Sequence, residues 1–283
     1  MFVNGRVSGT VVGVAAALVW LQIYPQGASA QGRESERERG SIYLGAFITN
    51  RNTEARVDAD NGGAGSDVDL ENDLGLEGST SVARFGGYFW LSHRQRLDLS
   101  YFDLSRTANH TLNKTINWGD QTFNINTVLT TENNLTITKV DYTFAFLNKD
   151  RGYLGITGGL YVMDTGFSLS EPTLGKFETN NLTAPLPVIG LRGEYAISKH
   201  FNLRGAYQWF GIDTGDVSGR LTDTYVGVDY GFGKRMFVGL AYDSVKLNVE
   251  ATKAGDLTGR LDWSYDGWLA YFKVDFGGGV SKR

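Results

Sequence analysis

The sequence predicts an all-β chain: a transmembrane antiparallel up-and-down β-barrel of about ten strands, with eight or twelve as alternatives, after a cleaved signal peptide. Three observations predict it. The first is the segment 267–276, GWLAYFKVDF. Trp268, Ala270, Phe272, Val274 and Phe276 share one face of an extended strand, and Leu269, Tyr271, Lys273 and Asp275 share the other. One face asks for an oily surround, the other for water or polar partners. The second is punctuation. Short turns near Ser92, Asn148, Ser198 and Gly233 alternate with longer excursions, as periplasmic turns alternate with outer loops in such barrels. The third is the leader. Residues 1–30 carry a basic Arg6, an apolar run at 11–20 and a small-residue site ending in Ala30, which places cleavage between Ala30 and Gln31. The apolar run is short for a spanning helix, which needs roughly 20 residues.

The chain is expected to divide into a signal peptide (1–30), a charged periplasmic tether (31–40), a barrel (41–276) and a C-terminal tail (277–283). Ten strands are expected at 41–56, 80–91, from 96 towards 118, then 131–147, 153–170, 185–197, 201–212, 221–232, 236–250 and 257–276. The third breaks period. Leu97, Leu99 and Tyr101 face lipid, and Asp103 would follow them. Either a β-bulge near Phe102 turns it away, or Asp103 already sits at the interface, where charge is cheap. A weak repeat supports the register: LDLSY at 97–101, LRGAY at 203–207 and VGLAY at 238–242 each follow a short basic turn. A soluble sandwich or lipocalin-like barrel would also alternate, but its apolar face would point inward.

Composition narrows the chemistry. There is no cysteine, which excludes disulfides, thiolate metal sites and a cysteine nucleophile. The net charge of −4, or −5 once Arg6 leaves with the leader, gives no basic face for nucleic acid.

The leader, the amphipathic strands and the terminal aromatic strand together resemble bacterial outer-membrane β-barrel proteins. The stretches HRQRLDLSYFDLSR at 93–106 and PVIGLRGEY at 187–195 are similar to recurring pieces of a poorly characterised proteobacterial group of such proteins. The resemblance implies the fold and a Gram-negative outer membrane, with Phe276 as the signal for the barrel-assembly machinery. The tail after Phe276 departs from the usual pattern, in which the aromatic is the last residue.

The candidate site is the lumen. Arg84, Asp98, Lys139, Asp141, Arg192, Glu194, Arg204, Asp223, Asp229, Asp243, Lys273 and Asp275 are expected to point inward. In a barrel this narrow, crowded opposite charges either pair into a plug or line a narrow pore. The expected function is therefore a narrow pore or a structural, surface-interacting barrel without catalysis. The alternative is an outer-membrane hydrolase, a protease or lipid-modifying enzyme, at the extracellular rim. Only His93, His110 and His200 could serve it, and none lies beside a carboxylate at short spacing. Asp58, Asp60 and Asp69 loosely resemble a calcium loop, but Gly62 stands where a ligand belongs, so 58–73, within the long polar stretch 58–78, reads as a mobile, solvated loop. No metal and no cofactor is expected. The expected partners are outer-membrane lipid and lipopolysaccharide, with the chain monomeric.

Overall fold

The computed structural model describes residues 38–277 apart from 61, 172–175 and 255–256. The signal peptide with its Ala30–Gln31 junction, most of the tether and all but the first residue of the tail lie outside them. Ten strands wind in chain order. They are β1 (Gly40–Val57), β2 (Ser79–Trp90), β3 (Gln95–Asp103, resumed at Arg106–Thr111), β4 (Val128–Lys149) and β5 (Gly152–Glu171). After them come β6 (Lys176–Ala196), β7 (Phe201–Asp213), β8 (Val217–Gly231), β9 (Met236–Ala254) and β10 (Leu257–Phe276). Each pairs antiparallel with the next, and β10 returns to β1 over the full register from Gly40–Phe276 to Val57–Gly259. Closure satisfies most of the wall's backbone within its own ladders, which is what lets strands stand in lipid.

Lower down, the outward positions form an apolar belt. Ile42, Leu44, Phe85, Leu99, Phe144, Ile156, Leu240 and Phe272 are all exposed. Phe201, Tyr230, Phe232 and Phe276 make an aromatic girdle at the short-turn end, and Tyr207, Trp209, Tyr242 and Trp268 make another above. The strands are longer than the belt. Twenty-two residues of β4 span roughly 55 Å of height at ~3.3 Å per residue and ~40° tilt, against a band of ~25 Å. The remainder stands above the membrane as a crown.

In the crown the two faces of the strands exchange character. On β10, Arg260, Asp262, Ser264 and Asp266 face out, while Leu261, Trp263 and Tyr265 face in. The inside of the upper barrel is therefore an apolar core built on Phe47, Phe102, Leu135, Ile137, Val245, Leu247 and Trp263. The expected pattern of apolar outward and polar inward thus holds in the belt and gives way above it. The physical reason is the solvent: above the belt water surrounds the wall, so apolar side chains turn inward as in a soluble barrel.

Three further expectations are corrected, and for Asp103 the interface alternative holds. The third strand does not run to Trp118; it ends at Thr111, and a separate hairpin pairs Ile116–Trp118 with Gln121–Phe123. No bulge occurs near Phe102, because Asp103–Thr136 and Arg106–Asn133 share one register. Asp103 faces out just above the belt, where Thr136 Oγ1 donates to it at 3.2 Å. The expected loop after β5 is instead a hairpin extension, with Lys176 opposite Glu171. Finally, the polar stretch is folded from Gly62 to Gly78. Its Val68, Leu70, Leu74 and Leu76 pack with Leu112, Ile116, Trp118 and Phe123 into a second apolar cluster that roofs the upper ends of β1, β3, β4 and β5.

Candidate functional site

The lower lumen is filled by paired charges. Inward positions on neighbouring strands stand opposite one another, so the period-two pattern of each strand delivers its ions to one axis. Nearest the short turns, the Arg96 guanidinium lies over the Tyr88 ring at 3.7 Å and donates to Asp98 at 2.6 Å and Glu194 at 3.3 Å. Arg192 bridges Asp141 at 2.7 Å and Asp98 at 3.7 Å, and Gln208 donates to Asp141 at 2.8 Å. On the opposite wall Asp229 receives Lys273 at 2.6 Å, Arg204 at 3.5 Å and the Tyr271 hydroxyl. Lys273 also stands 3.8 Å from Asp275.

Midway up, Arg84 pairs with Asp243. Lys139 donates to Asp223 at 2.6 Å and approaches Asp243 at 3.6 Å. Just above, the Tyr161 and Tyr265 hydroxyls meet at 2.9 Å, and Phe47, Phe102 and Tyr265 stack edge to face. From there upward the axis is filled mainly by apolar side chains, with Thr49, Arg51, Thr53 and Arg106 also buried inside the wall.

The structure thus places all twelve expected lumen charges inside and brings them into contact. It adds Arg96, buried and central to the lowest layer. Its signal was its place two residues before Asp98, on the same face. Also missed was an upper cluster that ties the roof down. Arg106 bonds Glu71, Thr53 Oγ1 at 2.8 Å and the Glu77 carbonyl at 3.1 Å, while Thr53 N–H donates to Glu71 at 2.8 Å. Arg51 donates to the Leu104 carbonyl. Glu71 lies in a segment with no strand period, so no spacing rule pointed to it.

A cavity of about 50 Å³ remains among Arg84, Asp98, Lys139, Asp141, Arg192 and Asp223, small but large enough to hold water. A groove of about 390 Å³ lies on the outer wall of the crown, lined by Thr130, Glu132, Asn134, Ser168, Ser170 and the exposed Phe177. The histidines are apart. His200 stacks on Tyr230, the His93 carbonyl accepts from Asn148, and His110 abuts Gly75. Among the described residues no carboxylate reaches ion-pair distance of His110 or His200. Asp58 and Asp69 accept backbone N–H groups of Gly65, Glu71 and Asn72, and so fold the roof segment.

A closed ladder, an exposed apolar belt and two aromatic girdles fit only a lipid surround. The chain is an outer-membrane β-barrel protein. No family model and no curated protein matches the sequence. Among solved structures it is similar to Ail, the attachment invasion locus protein of Yersinia pestis, at 10% identity and a TM-score of 0.36, covering 83% of this chain and 99% of that one. A FadL homologue of Pseudomonas aeruginosa shows 8% identity and a TM-score of 0.38 over 84% of this chain and 91% of that one. The outer-membrane protein AlkL shows 11% and 0.36 over 91% of this chain and 100% of that one. The likeness is one of general outline, and the fold assignment rests on the chain's own strand ladders.

Proposed function

We propose that this protein is a closed, non-catalytic barrel whose work is done at its crown rather than through its lumen. The observation that carries this reading is a double obstruction along one axis: the ion-pair layers and the apolar core above them. The lumen charges also lack a dominant sign. Six cations (Arg84, Arg96, Lys139, Arg192, Arg204, Lys273) face seven acids (Asp98, Asp141, Glu194, Asp223, Asp229, Asp243, Asp275). A selective pore wants a ring of one sign. The groove beside Phe177 and the polar outer face of the crown are the surfaces offered outward. Outer-leaflet lipid and lipopolysaccharide surround the belt, and one chain closes its own wall, so a monomer suffices. The pore reading retains one supporting feature, the water-sized cavity beside Arg84. Swelling of vesicles loaded with a small sugar separates the two. Swelling at the protein-free rate is expected, and sugar-dependent swelling would overturn the closed reading.

A further inference from the structure

The wall is not paired along its whole height. The β6–β7 ladder climbs from Ala196–Asn202 to Ile189–Trp209 and stops. Yet β7 continues to Asp213, still paired with β8, and β6 runs on to Lys176, still paired with β5. Continuing the register would set Val188 opposite Phe210, Pro187 opposite Gly211 and Pro185 opposite Asp213. None of these pairs forms.

The sequence supplies the reason. The Ala196 N–H donates to the Arg151 carbonyl on the β5 side. Backbone groups of successive strand residues point to alternate neighbours, and the β5–β6 register is unbroken from 185 to 195. Odd-numbered residues of β6 therefore address β7. Pro185 and Pro187 are two of them, and proline has no N–H to give. On the facing strand, the His200 carbonyl accepts from Gly231 of β8. Even-numbered residues of β7 thus address β8, which leaves Gly211 and Asp213 turned towards the two prolines.

The parted seam has an apolar back and a definite depth. Val188 is buried in the upper core, with Leu186 and Phe210 half-buried against it. Pro187 and Pro185 stand level with Leu160 and Val162 of β5, and the next outward residue above those is Asp164, the first charge. Trp209 stands exposed at the lower edge. The seam therefore lies at the upper rim of the apolar belt, where outer-leaflet chains meet their headgroups. An added β-strand cannot use it, because the proline edge offers no donors. A hydrocarbon chain needs none.

We infer that the seam between β6 and β7 is a lateral binding site for one acyl chain of an outer-leaflet lipid, seated against Leu186, Val188 and Phe210. The chain lies within the wall and leaves the lumen closed, because the ion-pair layers lie beneath. The test uses the mature chain refolded in phosphatidylcholine vesicles that contain a trace of phosphatidylcholine with a diazirine in its acyl chain. After illumination, crosslinked residues are read by mass spectrometry. Leu186, Val188 and Phe210 decide the matter, since they point inward and lipid outside an intact wall does not reach them. Labelling of these three is expected, severalfold above inward residues at equal height elsewhere, such as Tyr161. In Pro185→Val/Pro187→Val, with both donors restored, it is expected to fall to the level of Tyr161. The inference is overturned if the three are unlabelled in the wild type, if the double variant labels equally, or if only a free fatty-acid probe labels them. Should the double variant fail to give a heat-modifiable folded band, the wild-type pattern alone decides.

Discussion

Arg84→Met probes whether the lumen is held by buried ion pairs. Asp243 is fully buried, and Arg84 is only 3% exposed. Removing the guanidinium leaves Asp243 and Asp223 to share one cation, Lys139, which stands 3.6 Å from the first and 2.6 Å from the second. Breaking a buried pair typically costs 3–5 kcal/mol, because the remaining charge is left without compensation. Lys139 offsets part of this, so about 3 kcal/mol is expected here, roughly a hundredfold in the unfolding constant. The double variant Arg84→Met/Asp243→Leu removes both charges at similar volume and is expected within about 1 kcal/mol of the wild type. The readout is reversible urea unfolding in lipid vesicles, followed by tryptophan fluorescence. A loss below about 1 kcal/mol for the single variant, with a double variant that simply adds, is what solvated surface pairs give. That outcome would refute a lumen filled by buried ion pairs.

Other substitutions test the remaining parts. Val228→Arg puts a cation in the lipid belt and is expected to cost about 2–4 kcal/mol, whereas Thr222→Arg, higher on the same face, is expected near neutral; heat-modifiable mobility on gels and urea midpoints report both. Glu71→Ala unties the roof from Arg106 and Thr53, so protease cuts within 58–78 are expected while the barrel remains folded. Gly239→Ala places a methyl 2.1 Å from the Tyr271 ring. It is expected to cost about 1–3 kcal/mol by crowding the Tyr271–Asp229 contact, read in the same unfolding assay.

The sequence carried the lower barrel well. Strong alternation, as from Trp268 to Phe276, sets strand, face and register at once, because a one-residue slip would put every lysine and aspartate into lipid. The upper half was legible in principle. From Leu261 to Asp266 the residues still alternate, but apolar side chains now fall on odd positions, whereas from Trp268 they fall on even ones. Asp103 is the same event on β3. The phase change marks where the surround turns from lipid to water, and a single rule of apolar outward for the whole strand hides it. The roof was not legible. Leu70, Leu74 and Leu76 sit among aspartates and glycines, and nothing local shows that Trp118 and Phe123, over forty positions on, will cover them. The seam was written in Pro185 and Pro187, but its meaning depends on which neighbour each residue addresses, and only the closed ladder reveals that.

Single-channel recording tests the closed lumen most directly. The mature chain, refolded and inserted into a planar bilayer, is expected to give a silent membrane with no discrete steps, and to stay silent after Glu71→Ala loosens the roof, because the ion pairs and the apolar core remain. Discrete openings whose size changes with Arg84→Met or Asp229→Ala would contradict the account and make the paired charges the lining of a channel.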